Sequence, residues 1–310
     1  MTDPIIVCVA PNGARRLKPD HAGLPLTAKE LARDAAKCRD AGAAMVHLHV
    51  RDKAGGHLLD AEAYREATQA IRHEVGDGML IQITTEAVGK YQPQQQIDVV
   101  KAVHPQCASL ALRELIPNEA ALDEAQAFFH WMANEGVLAQ YILYTPEEVR
   151  QFNELRARGI IPGEMPLVLF VLGSYAGGPG RVSDLRAYLD TLNEGGPCHW
   201  AECAFGVTEA QAARWAMANG GHPRVGFENN LMLETGDVAP GNAALVAQTV
   251  EDGTSSGRTI ADASMAWALF SGEKGASATN IKVVTRRRAD EPSAPVRGHG
   301  GMSAPDLVTT

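Results

Sequence analysis

Ala43-Ala44-Met45-Val46-His47-Leu48-His49-Val50 is an apolar run interrupted only by two histidines at alternate positions. A β-strand sends alternate side chains to one face, so both imidazoles point the same way, about 7 Å apart along the strand and within reach of one metal ion. Arg51-Asp52 and Gly55-Gly56 follow, which predicts that the strand ends there with the pair at its C-terminal mouth. A lone histidine in such a run reads as a core residue. Two at strand spacing, at a strand exit, read as metal ligands.

Seven further apolar runs resemble this one in length: Ile5 to Ala10, Met79 to Thr85, Cys107 to Leu112, Val137 to Tyr144, Leu167 to Leu172, His199 to Phe205 and Arg224 to Phe227. Amphipathic segments lie between them. Thr27 with Glu30, Thr145 with Glu148 and Thr208 with Gln211 have capping-box spacing, and Gly76, Gly136 and Gly159 stand where helices should stop. From about Asn118 to Asn134, Leu122, Ala125, Phe128, Phe129 and Met132 form a core-facing stripe. Eight strands alternating with helices predict an α/β (β/α)8 TIM barrel. A doubly wound sheet lacks its dinucleotide fingerprint here. The glycine run Gly177-Gly178-Pro179-Gly180 is broken by proline and reads as a shaped loop.

The chain has 310 residues and is expected to fold as one barrel domain over 1–285. From Arg286 to Thr310 it is rich in Pro, Ser and Gly, which predicts a flexible or subunit-crossing tail. A formal net charge of −9 argues against nucleic-acid or anionic-membrane partners. Five cysteines without CxxC spacing read as reduced thiols, and no leader or long apolar segment is apparent, so a soluble cytoplasmic protein is expected.

Barrel active sites lie at the C-terminal ends of the strands. Those ends carry Arg15, His47, His49, Thr84, Glu86, Ser109, Arg113, Glu228 and Asn229. The second and eighth strands have the same parity in the ring, with only the first between them. Glu228 is therefore predicted to meet His47 and His49 across the mouth, giving two imidazoles and a carboxylate with an open position, as catalytic zinc requires. A metal-dependent amidohydrolase would need histidines on strands five and six, and neither predicted strand has one there.

Val46 to Asp52, Ile81 to Thr85, Phe170 to Gly173 and the stretch Gly220-Gly221-His222-Pro223-Arg224-Val225-Gly226-Phe227-Glu228-Asn229-Asn230 resemble the β-keto acid cleavage enzymes, typified by the 3-keto-5-aminohexanoate cleavage enzyme. The resemblance runs from the first strand to about residue 272. It implies a Zn2+ barrel, usually a homotetramer, that condenses a β-keto acid with acetyl-CoA and releases acetoacetate and a new acyl-CoA by retro-Claisen cleavage. It places zinc on His47, His49 and Glu228. It makes Arg224 a partner in forming the substrate carbanion, and gives Thr84 and Ser109 the substrate carboxylate.

Some positions depart from the family pattern. The aspartate that usually follows the metal-binding glutamate, acting with the arginine as base, is Asn229 here, and an amide takes no proton at neutral pH. Glu86, in place of a turn glycine, and Glu202 are the substitute bases on offer; a structural pairing of Glu86 with Arg15 or Arg113 is the competing expectation. The acid that binds a substrate amino group corresponds to Ile142, and another family acid corresponds to Arg15. With Arg113 near the rim, a neutral or anionic substituent is expected at the far end of the substrate, as in a β-keto dicarboxylate. Two other functions fit the same ligands: a non-catalytic metal-binding barrel for a small carboxylate, and a CoA-independent metal-assisted carbon–carbon lyase.

Overall fold

Each apolar run has two faces to bury, and a parallel barrel wrapped in helices buries both. The computed structural model describes residues 3–272; the expected tail beyond Arg286 lies outside them. The strands are β1 (Cys8–Val9), β2 (Met45–Leu48), β3 (Leu80–Thr84), β4 (Cys107–Ala111), β5 (Leu138–Leu143), β6 (Leu167–Leu172), β7 (His199–Ala204) and β8 (His222–Val225). They close into one barrel in ring order, and β1 joins the ends by pairing Cys8 with both Arg224 and Met45. The (β/α)8 expectation holds.

Around the barrel run α1 (Ala28–Asp40), α2 (Ala61–Val75), α3 (Pro93–Val103), α4 (Leu122–Asn134), α5 (Pro146–Ala157), α6 (Leu185–Glu194), α7 (Glu209–Ala218) and α8 (Asn242–Ser255). Thr27 and Glu30 form the expected capping box on α1, and Gly76 ends α2 at φ 56°. Thr145 accepts from Glu148 N, while the Glu148 carboxylate reaches back to Tyr144 N. The box expected at Thr208 does not form. Thr208 already has helical backbone angles in a 3-10 turn, and its hydroxyl donates to Phe205 O. The helix expected from Asn118 begins as a 3-10 turn capped by the Asn118 side chain, with α4 proper starting at Leu122.

Strand alternation sorts the side chains into two populations. Val168, Phe170 and Leu172 face the helices, whereas Leu167, Leu169 and Val171 face the lumen. The lumen floor is largely apolar, with Ile6, Cys8, Met45, Leu80, Cys107 and Leu167 packed under a final helix, α9 (Ala263–Ser271), through Ala266 and Phe270. His199 and His222 meet Phe270 edge-on there, while His47, His49 and Glu228 lie toward the other end.

Candidate active site and metal centre

The site is built by stopping two strands in the right places. β2 ends at Leu48, one residue short of the second histidine, and Val50–Arg51 turns away to pair antiparallel with His57–Leu58. His49 is held at the break by Asn12, whose side-chain amide donates to His49 O (2.8 Å) and accepts from His49 N (3.2 Å). The asparagine thus continues the ladder where β1 has no more backbone to offer. On β8, Gly226 has φ +135° and lies where a Cβ would meet Ala10 O at 2.5 Å, so only glycine lets the chain turn there. Glu228 N then donates to Ala10 O (3.0 Å), and Tyr175 OH donates to Glu228 O (2.8 Å). From behind, Glu209 accepts from Gly226 N and Asn230 Nδ2, and Asn242 accepts from Phe227 N. The Glu228 turn is held on every side.

His47 Nε2 and His49 Nε2 are 3.2 Å apart, and Glu228 Oε2 stands 3.4 Å from the first and 3.3 Å from the second. All three residues are buried. Burial pushes His47 down to about 3, so at neutral pH its ring is uncharged and the short contact to Glu228 is no ion pair. Burial also works to raise the Glu228 carboxyl, but the Arg224 guanidinium outweighs it and holds the group well below its usual range. Three electron-rich atoms therefore face one another at contact distance, and Glu228 Oε2 has no hydrogen-bond partner. Such a triangle of donor atoms could hold a metal ion. A tetrahedral zinc with bonds of about 2.0–2.1 Å spaces its ligand atoms about 3.3 Å apart, and the donor set fits it.

The far sides of the rings set the tautomers. His47 Nδ1 lies 2.8 Å from Gln82 Oε1, whose amide in turn donates to Gln140 Oε1 (3.2 Å). The His47 proton thus sits on Nδ1 and the lone pair on Nε2, toward the centre. His49 Nδ1 faces His57 Nδ1 at 3.4 Å and Glu86 Oε2 at 3.6 Å.

Arg224 donates to Glu228 Oε1 (3.0 Å) and also lies 3.2 Å from Cys203 Sγ and 3.4 Å from Asn229 Oδ1. Thr84 and Ser109 are buried beside the ligands: Thr84 Oγ1 accepts from Glu86 N, and Ser109 Oγ is 3.5 Å from His47 Nδ1. Glu86 is close to the centre and partly exposed, its Oε2 3.6 Å from His49 Nδ1. Arg15 is exposed over the Tyr175 ring.

Arg113 does stand at the rim, half exposed, paired with Glu148 (3.0 Å) and 3.5 Å over the Tyr144 ring. One expectation needs correction. Glu202 shares its strand face with Trp200 and Ala204 on the helix side, and cannot reach a substrate in the lumen. The second strand also ends sooner than expected, because Val50 and Arg51 belong to the hairpin. Asn12, His57, Gln82, Tyr175 and Glu209 belong to the site's support and were not anticipated. The glycine-rich loop is a tight turn, Ser174 and Gly178 exchanging backbone bonds, that delivers Tyr175.

Residues 4–271 match the family model of the beta-keto acid cleavage enzyme. The chain belongs to this family. As a β-keto acid cleavage enzyme family member it is 28% identical over 275 residues to the 3-oxoadipate:acetyl-CoA acetyltransferase of Cupriavidus necator, covering 87% of this chain and 95% of that one. It is 29% identical over 273 residues to the 3-keto-5-aminohexanoate cleavage enzyme of Fusobacterium nucleatum, covering 84% of this chain and 95% of the relative. Among solved structures, the ternary complex of ObcA with a C4-CoA adduct and oxalate superposes at a TM-score of 0.66, with 16% identity over 80% of this chain and 67% of the other, a likeness of fold. Among the described residues no helix is long and apolar enough to cross a membrane.

Proposed function

We propose that this chain is a zinc-dependent β-keto acid:acetyl-CoA acetyltransferase. It exchanges acyl groups between a β-keto acid, R–CO–CH2–COO⁻, and acetyl-CoA to give acetoacetate and R–CO–CoA. The observation that carries the reading is the buried triangle of His47 Nε2, His49 Nε2 and Glu228 Oε2 with Arg224 behind it. Zinc held there would act as a Lewis acid toward the keto oxygen and carboxylate of the substrate, lowering the cost of an enolate. Thr84 and Ser109, both buried beside His47, suit the substrate carboxylate as hydrogen-bond donors. Arg224 keeps Glu228 charged and brings a fixed positive charge to where the carbanion forms. With Asn229 unable to serve as base, Glu86 is the acid we assign to the proton; burial lifts its carboxyl above the ordinary range, against the pull of His49. Names of relatives that include acetyl-CoA support the co-substrate. The five free thiols accord with a cytoplasmic enzyme, and the family resemblance with a homotetramer.

Asn229 gives a second reading its one foothold: a barrel that binds zinc and a small carboxylate without turnover. Incubating zinc-loaded protein with acetyl-CoA and a set of β-keto acids separates the two, with acetoacetate as the expected product. Metal without product would leave the binding protein. Product formed equally well without any CoA ester would replace the transferase by a lyase.

A further inference from the structure

The barrel mouth is divided into two chemically different halves. β2, β3 and the near side of β4 present His47, His49, Gln82, Thr84 and Ser109, and the turn after β8 adds Glu228 beside Arg224. Opposite them, the lumen-facing positions of the remaining strands form a separate cluster of buried apolar side chains, distinct from both the helix-side core and the floor. Register stacks it in two tiers. Ile142 and Leu169 stand level between Ala111 and Ala201, and Val171 pairs with Cys203 above them, under Phe205.

This wall starts at the catalytic centre. Cys203 Sγ is 3.2 Å from the Arg224 nitrogen that holds Glu228. Below the lower tier, the Gln140 amide oxygen is taken by Gln82. Along the rim, Arg113 is engaged by Glu148 and lies over Tyr144.

We propose that the apolar half selects the substrate: R in R–CO–CH2–COO⁻ is an uncharged hydrocarbon group lying against Ile142, Leu169, Val171 and Phe205. This rests on the acetyltransferase reading above and fixes its substrate class. With the keto acid head at the metal, R has to leave the polar half, and the buried side chains of the wall across the lumen offer it contacts and no charged group. A carboxylate or ammonium there would lose its water without compensation. Each added methylene gains about fourfold in binding until the wall is covered. Ile142, Leu169, Val171 and Phe205 thus become specificity-determining residues.

The test is a panel of β-keto acids at fixed acetyl-CoA, following acetoacetate. It includes a straight-chain aliphatic series, a β-keto dicarboxylate and an ω-amino β-keto acid. We expect kcat/KM to rise about fourfold per methylene at first, and both charged substrates to fall at least about a hundredfold below the neutral chain of equal length. Leu169→Ala should flatten the rise with chain length. Ile142→Asp should bring the amino substrate above the aliphatic one. If acetoacetate forms but the dicarboxylate or the amine is the best wild-type substrate, the apolar-wall assignment is wrong while the acetyltransferase reading stands. If no β-keto acid yields acetoacetate with zinc bound, both fall. The wild-type ranking decides the matter even if a variant fails to fold.

Discussion

His57 stands behind His49, their Nδ1 atoms 3.4 Å apart, and its other nitrogen reaches the backbone carbonyl of Glu86 at 2.9 Å. A carbonyl only accepts, so His57 carries its proton on Nε2. Burial keeps the ring neutral, pushing it down to about 3. His57 Nδ1 must then accept from His49 Nδ1–H, which leaves the His49 Nε2 lone pair facing the metal triangle. A chain of two imidazoles anchored on a main-chain oxygen fixes the tautomer of one candidate ligand, as Gln82 fixes the other.

Replacing His57 should therefore act on the metal. His57→Phe removes the acceptor for His49 Nδ1–H while keeping an aromatic ring, and should weaken zinc binding about 10- to 100-fold. Competition with a chelator measures it, and activity should return when zinc is supplied in excess. A variant with wild-type zinc affinity would show that the Glu86 carboxylate alone orients His49.

His49→Ala should abolish both bound zinc and acetoacetate formation while the thermal midpoint changes little, because the removed ring sits at the barrel rim and not in its core. Elemental analysis and a melting curve on the same sample check both halves. Full metal content in this variant would remove His49 from the ligand set.

The base can be located by a pair of substitutions. Glu86→Gln should lower kcat by about 10²–10⁴ with zinc content unchanged if Glu86 takes the proton. A fall in zinc affinity instead would make it a positioning residue acting through His49. Asn229→Asp places a carboxylate beside Arg224 and should raise turnover; an unchanged or lower rate would show that proton removal at this position does not limit the enzyme.

At the closed end of the barrel, against Phe270, His222 accepts from Ile6 N at 3.2 Å, and burial pushes it down to about 3. The fold thus favours its neutral form over the charged one. Its contribution to stability is complete above the unfolded histidine value, about 6.5, and is lost as pH falls from there toward about 3, at about 1.4 kcal/mol per pH unit. His222→Gln keeps an acceptor for Ile6 N but does not titrate. Denaturation of the variant at pH 4–7 should show a shallower dependence on pH than the parent, by roughly that slope.

The barrel and the meeting of His47, His49 and Glu228 could be read from the sequence because both depend on period. Alternation assigns each strand residue a face, and ring order makes β2 and β8 near neighbours. Glu202 was readable by the same count, since it alternates with Ala201 and Cys203 and so faces the helices. What lay beyond the sequence were contacts set by loop shape. Asn12 meets His49 in the register of the β1–β2 pair but through its side chain, and His57 arrives on a hairpin that the glycines Gly55 and Gly56 hinted at without giving its direction. Arg113 looked available because nothing local to it shows that Glu148 in the next unit will pair with it.

The sealed end of the barrel has a kinetic corollary. With α9 packed through Phe270 across the base, the lumen is closed at that end among the described residues, and a ligand that reaches the metal triangle from the open mouth lies beneath whatever follows it in. A small keto acid must therefore enter ahead of the bulky thioester and wait beneath it, so the two-substrate reaction should run in compulsory order, with the acyl-CoA leaving before acetoacetate.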